Sequence, residues 1–270
     1  MTYPHFLGIG VPKAGTTWLY ENLRQHPQIW LPPIKEIHYF DRSRRPYLLD
    51  SIARNSQQRY LLRRWLKPAL SNLAKHPRNL GWHMRFFAGV RTEHWYESLF
   101  RPDEGQLTGD ITPTYSVLPE YKVAQVAELL PNVKLILILR DPIERIWSHA
   151  AMYFSRYGQR GLQAATQTEI AAFIKRPDVL KRSDYVAILD CWHRYFSPEQ
   201  MYVGVYDKLN ASPASFMQDI CRFLEIEPIV PTSVMDRVHG RSYPPLPVWA
   251  IAQLMPQCRQ SIEVLQDGFQ

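Results

Sequence analysis

A lysine set inside a glycine loop, and a glutamate two residues from a histidine, are the parts of this chain best suited to chemistry. The first lies in Gly10-Val-Pro-Lys13-Ala-Gly15-Thr16-Thr17, between a short apolar run and a helix-like stretch. A glycine loop joining a strand to a helix lets backbone N–H groups surround an anion at the positive end of the helix. Nucleotide-binding loops of the form Gly-x4-Gly-Lys-Ser/Thr carry their lysine directly after the second glycine. Here the glycine spacing is kept, but Thr16 takes that slot and the cation sits within the loop as Lys13. The second group lies in Lys35-Glu36-Ile-His38-Tyr39-Phe-Asp41. On an extended segment, an i, i+2 spacing puts Glu36 and His38 on one face and turns Tyr39 to the other. A carboxylate beside an imidazole suits removal of a proton from a hydroxyl nucleophile. Glu36 is the preferred base, with His38 as reserve candidate or orienting partner. The plainer uses are an ion pair from Glu36 to Lys35 or Arg42 and a hydrogen-bonded structural role for His38.

A third group completes an anion site. Arg140 ends the aliphatic run Lys134-Leu-Ile-Leu-Ile-Leu139, and Ser148 lies two helical turns further on. Ligands in open α/β sheets bind outside the carboxyl ends of the strands. An arginine there can hold a phosphate through two donors, with the serine hydroxyl as a third. A salt bridge to Asp141 or Glu144 is the alternative use of Arg140. Asp110, at a predicted strand end, either orients Lys13 or a ligand, or caps a turn.

The elements that must position these groups read as an alternation of strands and helices. Phe6–Gly10 is a short buried strand, and a helix runs from about Thr16 to Gln25, stopped at His26-Pro27 because a residue before proline is driven out of the helical region. Residues 28–41 are broken by prolines. Val123–Leu130 is predicted helical, and Lys134–Leu139 reads as a central parallel strand buried on both faces. Asp141-Pro142 opens a helix, with aspartate as N-cap and proline at the first helical position. Met201–Tyr206 is a further strand, and Ser212-Pro213 starts a helix to about Leu224. The expected fold is α/β: a three-layer, P-loop-type arrangement with a central parallel sheet flanked by helices, as one domain over 1–270.

Composition bounds the reading. Hydrophobic residues make up 46% of the 270, enough for a sizeable core. No apolar run approaches the ~20 residues that span a bilayer. The N-terminus runs directly into a strand, which leaves no room for a signal peptide. Three cysteines, Cys191, Cys221 and Cys258, fit neither a disulfide framework nor a metal site, so a cytoplasmic location and no metal are expected. The net charge of +7 is uneven: from Arg42 to Arg91 there are twelve Lys/Arg and one acid, Asp50. That block, 42–91, reads as a helical insertion or lid, either touching an anionic surface or presenting solvated helix faces.

With these residues in place, the chain resembles the sulfotransferases that use 3'-phosphoadenosine 5'-phosphosulfate (PAPS). Pro12-Lys-Ala-Gly-Thr-Thr-Trp-Leu19 is similar to the family's 5'-phosphosulfate loop, and Leu139-Arg-Asp-Pro-Ile-Glu-Arg-Ile-Trp-Ser148 to its 3'-phosphate signature. The resemblance implies that Lys13, Gly15, Thr16 and Thr17 bind the phosphosulfate, that Trp18 stacks on adenine, and that Arg140 and Ser148 bind the 3'-phosphate. It is nearer the heparan-sulfate type than the phenol and steroid type. Lys35–Asp41 is similar to the segment carrying that type's catalytic carboxylate, and His239-Gly240-Arg241-Ser242-Tyr-Pro244 to the loop that closes over PAPS. Gly109–Tyr115 matches a further family segment, from which Ile111 departs where a lysine is common; a cysteine pair found before the late loop in secreted members is also missing. The activity implied by the resemblance is sulfuryl transfer from PAPS to a hydroxyl or amine of a small-molecule or carbohydrate acceptor, giving PAP. Lys13 inside the loop suits a cation at the bridging oxygen of such a phosphosulfate.

Two other functions compete. A P-loop nucleotide kinase would use Asp141 for magnesium, but Pro142 favours an N-cap there, and the kinase lysine is missing. A non-catalytic binder of nucleic acid or another anionic polymer would use 42–91, stacking bases on Tyr60, Trp65, Trp82 and Phe86; it leaves the glycine loop and Arg140 unexplained, so no nucleic-acid partner is expected.

Overall fold

The computed structural model describes residues 2–47, 69–71, 73–74, 76–157, 161–228 and 243–268. Its centre is a five-stranded sheet in the order β2-β3-β1-β4-β5, and every pairing is parallel. The strands are β1 (Phe6–Gly10), β2 (Ile29–Trp30), β3 (Leu107–Ile111), β4 (Lys134–Leu139) and β5 (Met201–Val205). β1 lies between β3 and β4, with Phe6 opposite both Gly109 and Lys134. All five residues of β1 are buried, as are Leu135–Leu139 of β4. That is the pattern of strands covered on both faces, and it explains why they are uninterrupted apolar runs.

Parallel strands need crossovers, and helices supply them. α1 (Thr16–Leu23) follows β1; α2 (Leu80–Ala88) and α3 (Glu93–Ser98) precede β3; α4 (Glu120–Leu129) leads into β4. After β4 come α5 (Pro142–Tyr157), α6 (Gln167–Ile174), α7 (Pro177–Leu180) and α8 (Tyr185–His193). α9 (Tyr206–Ala211) and α10 (Pro213–Leu224) follow β5, and α11 (Val248–Gly268) lies against α5. Connections from β1 lead toward β3 and those from β4 toward β5. The crevice above the β1/β4 pair is therefore the topological switch point, where α/β sheets bind ligands. Among the described residues no helix is long and apolar enough to cross a membrane.

The strand and helix readings at 6–10, 134–139, 142 onward, 201 onward and 213–224 agree with these elements. Asp141 is the N-cap expected, its Oδ1 accepting the Glu144 N–H at 2.8 Å. Two readings need correction. Residues 31–41 form no strand: pairing stops after Trp30, where Leu31-Pro32-Pro33 leaves no run of donors for a ladder, and Glu36 and His38 take left-handed backbone, φ 69° and 56°. The insertion read at 42–91 lies in large part outside the described residues (48–68, 72 and 75), and the part described is not merely solvated face. Trp82 and Phe86 are core residues, and Arg91, 1% exposed, lies 4.2 Å over the Tyr47 ring. The core offers Trp82 and Phe86 no base to stack on; Tyr60 and Trp65 lie outside the described residues.

Candidate active site

The phosphate loop leaves β1 and enters α1 through two left-handed residues, Lys13 (φ 79°) and Gly15 (φ 85°). Glycine is needed at 15 for a second reason: a Cβ there would stand 2.7 Å from Leu209 Cδ2. This tight turn puts the first N–H groups of α1, which have no partner within the helix, at the carboxyl end of the sheet. Thr16 is buried; Lys13, Gly15 and Thr17 are half-buried at the rim.

Arg140 approaches from the end of β4. Its Nη1 donates to the Lys13 carbonyl at 3.3 Å, its Nη2 pairs with Glu144 at 2.8 Å, and its plane lies 4.7 Å from the Tyr206 ring. The predicted alternative of a salt bridge to Glu144 is thus present, while Nε is buried with no hydrogen-bond partner. Ser148 is buried on α5. The neighbouring Trp147 donates from Nε1 to the Pro244 carbonyl at 2.8 Å, and Tyr243 is a hydrogen-bond partner of Arg140. Gly240, Arg241 and Ser242 lie outside the described residues; the two residues that follow them are fastened beside the Arg140–Ser148 region. His149 is half-buried on α5 beside this crevice. Burial, then the charges of Arg145, Arg182 and Lys13, push its imidazole down to about 3, so it is neutral in a strongly positive surrounding.

Trp18 is a correction. It is 6% exposed and packs edge-on against Phe216 at 6.0 Å, a core residue of α1 rather than an open platform for adenine. Its position in α1, two residues after the buried Thr16, turns it toward α10.

The Glu36–His38 pair survives the loss of its expected extended backbone. Coiling through two left-handed residues brings the side chains together, Glu36 Oε2 lying 3.4 Å from His38 Nε2. The other ring nitrogen donates to Asp41 Oδ2 at 2.8 Å, and Thr114 Oγ1 donates to the same oxygen at 2.6 Å. On the other side, Lys35 Nζ bridges Glu36 Oε1 at 3.1 Å and the Thr16 hydroxyl at 3.3 Å. One polar chain therefore runs Thr16–Lys35–Glu36–His38–Asp41–Thr114, from the phosphate loop to the residues after β3. Burial alone would lower the His38 pKa, but the Asp41 charge and the hydrogen bonds to Asp41 and Glu36 outweigh it and raise the value. Asp41 shows the counterpart: burial would raise it, and His38 with Thr114 hold it below the usual carboxylate range. A histidine that keeps its proton is a poor base and a good anchor for a neighbouring carboxylate.

Sequence reasoning does not single out Lys35, Asp41 or Thr114. A signal for Asp41 exists, since it is a carboxylate only three residues after His38. Thr114 is 76 residues from His38 and only the fold brings it there. Asp110 contacts neither Lys13 nor a turn N–H. It is buried at 1% exposure and accepts hydrogen bonds from three hydroxyls, Thr112 at 2.7 Å, Tyr115 at 2.8 Å and Tyr96 at 3.1 Å. As for Asp141, its capping bond to Glu144 is the use that weakens the kinase reading.

Comparison with known proteins agrees with this arrangement. Residues 4–230 match the profile described as the sulfotransferase family. The chain is similar to human bifunctional heparan sulfate N-deacetylase/N-sulfotransferase 3, 26% identical over 240 residues, covering 83% of this chain and 22% of that protein. It is also similar to mouse heparan sulfate glucosamine 3-O-sulfotransferase 3A1, 26% identical over 236 residues, covering 84% of this chain and 47% of the relative. The chain thus spans less than half the length of these curated relatives. Among solved structures, a sulfotransferase from Alicyclobacillus acidocaldarius superposes with a TM-score of 0.62 at 21% identity, covering 98% of this chain and 95% of the other, a likeness of fold. With the profile matched from before β1 to beyond α10, and a phosphate loop at the switch point of a parallel sheet, the chain belongs to the sulfotransferase family.

Proposed function

We propose that this protein transfers a sulfuryl group from PAPS to a hydroxyl or amine of a glycan-like acceptor, with Glu36 as the general base. The observation that carries the reading is the unbroken link from Thr16 through Lys35 to Glu36, which sets a carboxylate beside the loop that would hold the phosphosulfate.

The residues present fit the nucleotide. Arg140 has an unpartnered buried Nε, and a phosphate between it and the Ser148 hydroxyl would give that donor an acceptor. Arg145, Arg182 and Lys13 all act on His149 as positive charges, a surrounding that suits a polyanion. Lys13, Gly15, Thr16 and Thr17 would hold the 5' end, and Arg140 with Ser148 the 3'-phosphate. When bound, PAPS supplies the sulfuryl group together with a phosphate leaving group. Glu36 takes the acceptor's proton as the new bond to sulfur forms, and Lys13 with the α1 N–H groups balances the charge left on the departing oxygen. His38, held by Asp41 and with its pKa raised by it, fixes the orientation of the Glu36 carboxylate. Ile111 is buried and brings no charge, whereas Lys35 sets a cation 3.1 Å from Glu36.

The glycan acceptor rests on the names of the relatives. Incubation with radiolabelled PAPS and a panel of N-unsubstituted and N-acetylated glucosamine oligosaccharides, phenols and alkyl alcohols tests the proposal. Labelled oligosaccharide and PAP in equal amounts are expected. PAPS left intact with every acceptor, by a protein that still binds PAP, overturns it.

A further inference from the structure

The base-bearing loop has a buried support that the reaction itself does not use. Asp110 stands near the carboxyl end of β3, 1% exposed, in the middle of the sheet's upper rim. Burial raises the Asp110 pKa, and the hydrogen bonds from the three hydroxyls oppose that rise by favouring the charged form. Each of the three hydroxyls donates its hydrogen to Asp110, which leaves its lone pairs facing outward. Two of the three then accept a backbone N–H from the base loop. Tyr115 takes the Tyr39 N–H at 2.9 Å, and Thr112 takes the His38 N–H at 3.5 Å. These are adjacent peptide groups, and they flank the left-handed backbone of His38, a conformation that persists in a non-glycine residue only when its surroundings hold it. A third tie comes from the opposite side, where the Tyr47 hydroxyl donates to the Ile37 carbonyl.

We infer that Asp110 is a positioning residue for the base: through the hydroxyls of Thr112 and Tyr115 it fixes the backbone at His38 and Tyr39, and so the place of the Glu36 carboxylate. This rests on the function proposed above. Tyr96 supplies the internal comparison. Its hydroxyl also donates to Asp110, at 3.1 Å, but passes nothing on to the loop backbone.

The test compares Tyr115→Phe with Tyr96→Phe, each of which deletes one hydrogen bond to Asp110 and keeps the ring. Tyr115→Phe is expected to lower kcat about tenfold or more, because sub-ångström misplacement of a catalytic group is costly. Its PAP affinity and acceptor KM should stay within about twofold of wild type. Tyr96→Phe should lose a similar amount of thermal stability while keeping kcat within about threefold. Thr112→Ser should restore what Thr112→Val loses. Asp110→Asn should follow Tyr115→Phe; should it fail to fold, the tyrosine pair still decides the matter. A readout without turnover separates this inference from the proposed activity: the ring resonances of His38 in histidine-labelled protein. They should move in Tyr115→Phe and stay in Tyr96→Phe. Equal kcat losses in the two tyrosine variants, or His38 resonances unmoved in both, overturn the positioning role, whereas a wild type that turns over no acceptor overturns the activity and leaves the resonance comparison standing.

Discussion

At the scale of single residues, the division of labour between Glu36 and His38 is set by their neighbours. His38 sits between two carboxylates, with Glu36 at 3.4 Å and Asp41 at 2.8 Å, and keeps its proton above the ordinary imidazole range. Glu36 lies between Lys35 and His38, and Lys35 ties it to Thr16 of the phosphate loop. Glu36→Gln keeps the shape and the contact to Lys35 but cannot accept a proton, so turnover should fall by about 10²–10⁴ with PAP binding unchanged. The fall should be largest for alkyl and sugar hydroxyls and smaller for phenols, which ionise more readily. His38→Ala should lower the rate yet retain the acidic limb of the pH–rate profile, because the limb belongs to the base. A profile in which His38→Ala loses that limb and Glu36→Gln keeps it would reverse the two roles.

Among the elements, the loop after β2 carries the chemistry and the turn after β3 holds it in place. The His38–Asp41 pair links them, and its pH dependence has a definite sign. His38 is raised above 6.5 in the folded state, so its share of stability is complete below that pH and is lost as pH rises through the higher value. Asp41 is lowered below 3.8, so its share is present above that pH and is lost as pH falls through the depressed value. Asp41→Asn should cost about 1.5–3 kcal/mol near pH 6, since it removes the shorter of the two charge-assisted contacts to His38 and leaves only Glu36 at 3.4 Å. Melting curves of wild type and variant should converge as pH falls through the depressed Asp41 value and again as it rises through the raised His38 value; parallel curves across that range would remove the pair from the stability of the loop. The sequence made much of this arrangement readable. β1, β4 and β5 are aliphatic runs bounded by clear turn signals, and Asp141-Pro142 marks its helix start without ambiguity. The geometry of 31–41 was not readable, because left-handed backbone at Glu36 and His38 has no local signature in residues other than glycine. Nor was the burial of Trp18, which depends on Phe216, 198 positions away and adjacent only in the folded chain. The roles of Asp41, Thr114 and Asp110 likewise depend on β3 returning beside β1.

Over the whole molecule, the phosphate loop, Arg140 and the end of the late loop meet at one switch point, so a nucleotide bound there ties α1, β4, α5 and the 243–244 segment together. PAP should therefore raise the melting temperature. A ligand at a hundred times its Kd adds about 2.7 kcal/mol, which for a chain of this size is on the order of 5–10 °C. The shift should need no magnesium, and ATP with magnesium should not reproduce it; the reverse pattern would favour a kinase. The hydroxyls that receive the backbone N–H groups of the base loop belong to Thr112 and Tyr115, far along the chain from Glu36, and this has a bearing on recombination. A chimera with a relative whose crossover falls between Asp41 and Asp110 would match one parent's loop to the other's anchors, a mismatch that sequence similarity at the junction would not reveal. Residues 35–41 and 110–115 form one heritable block written in two places, and grafting a new acceptor preference onto this scaffold means moving both.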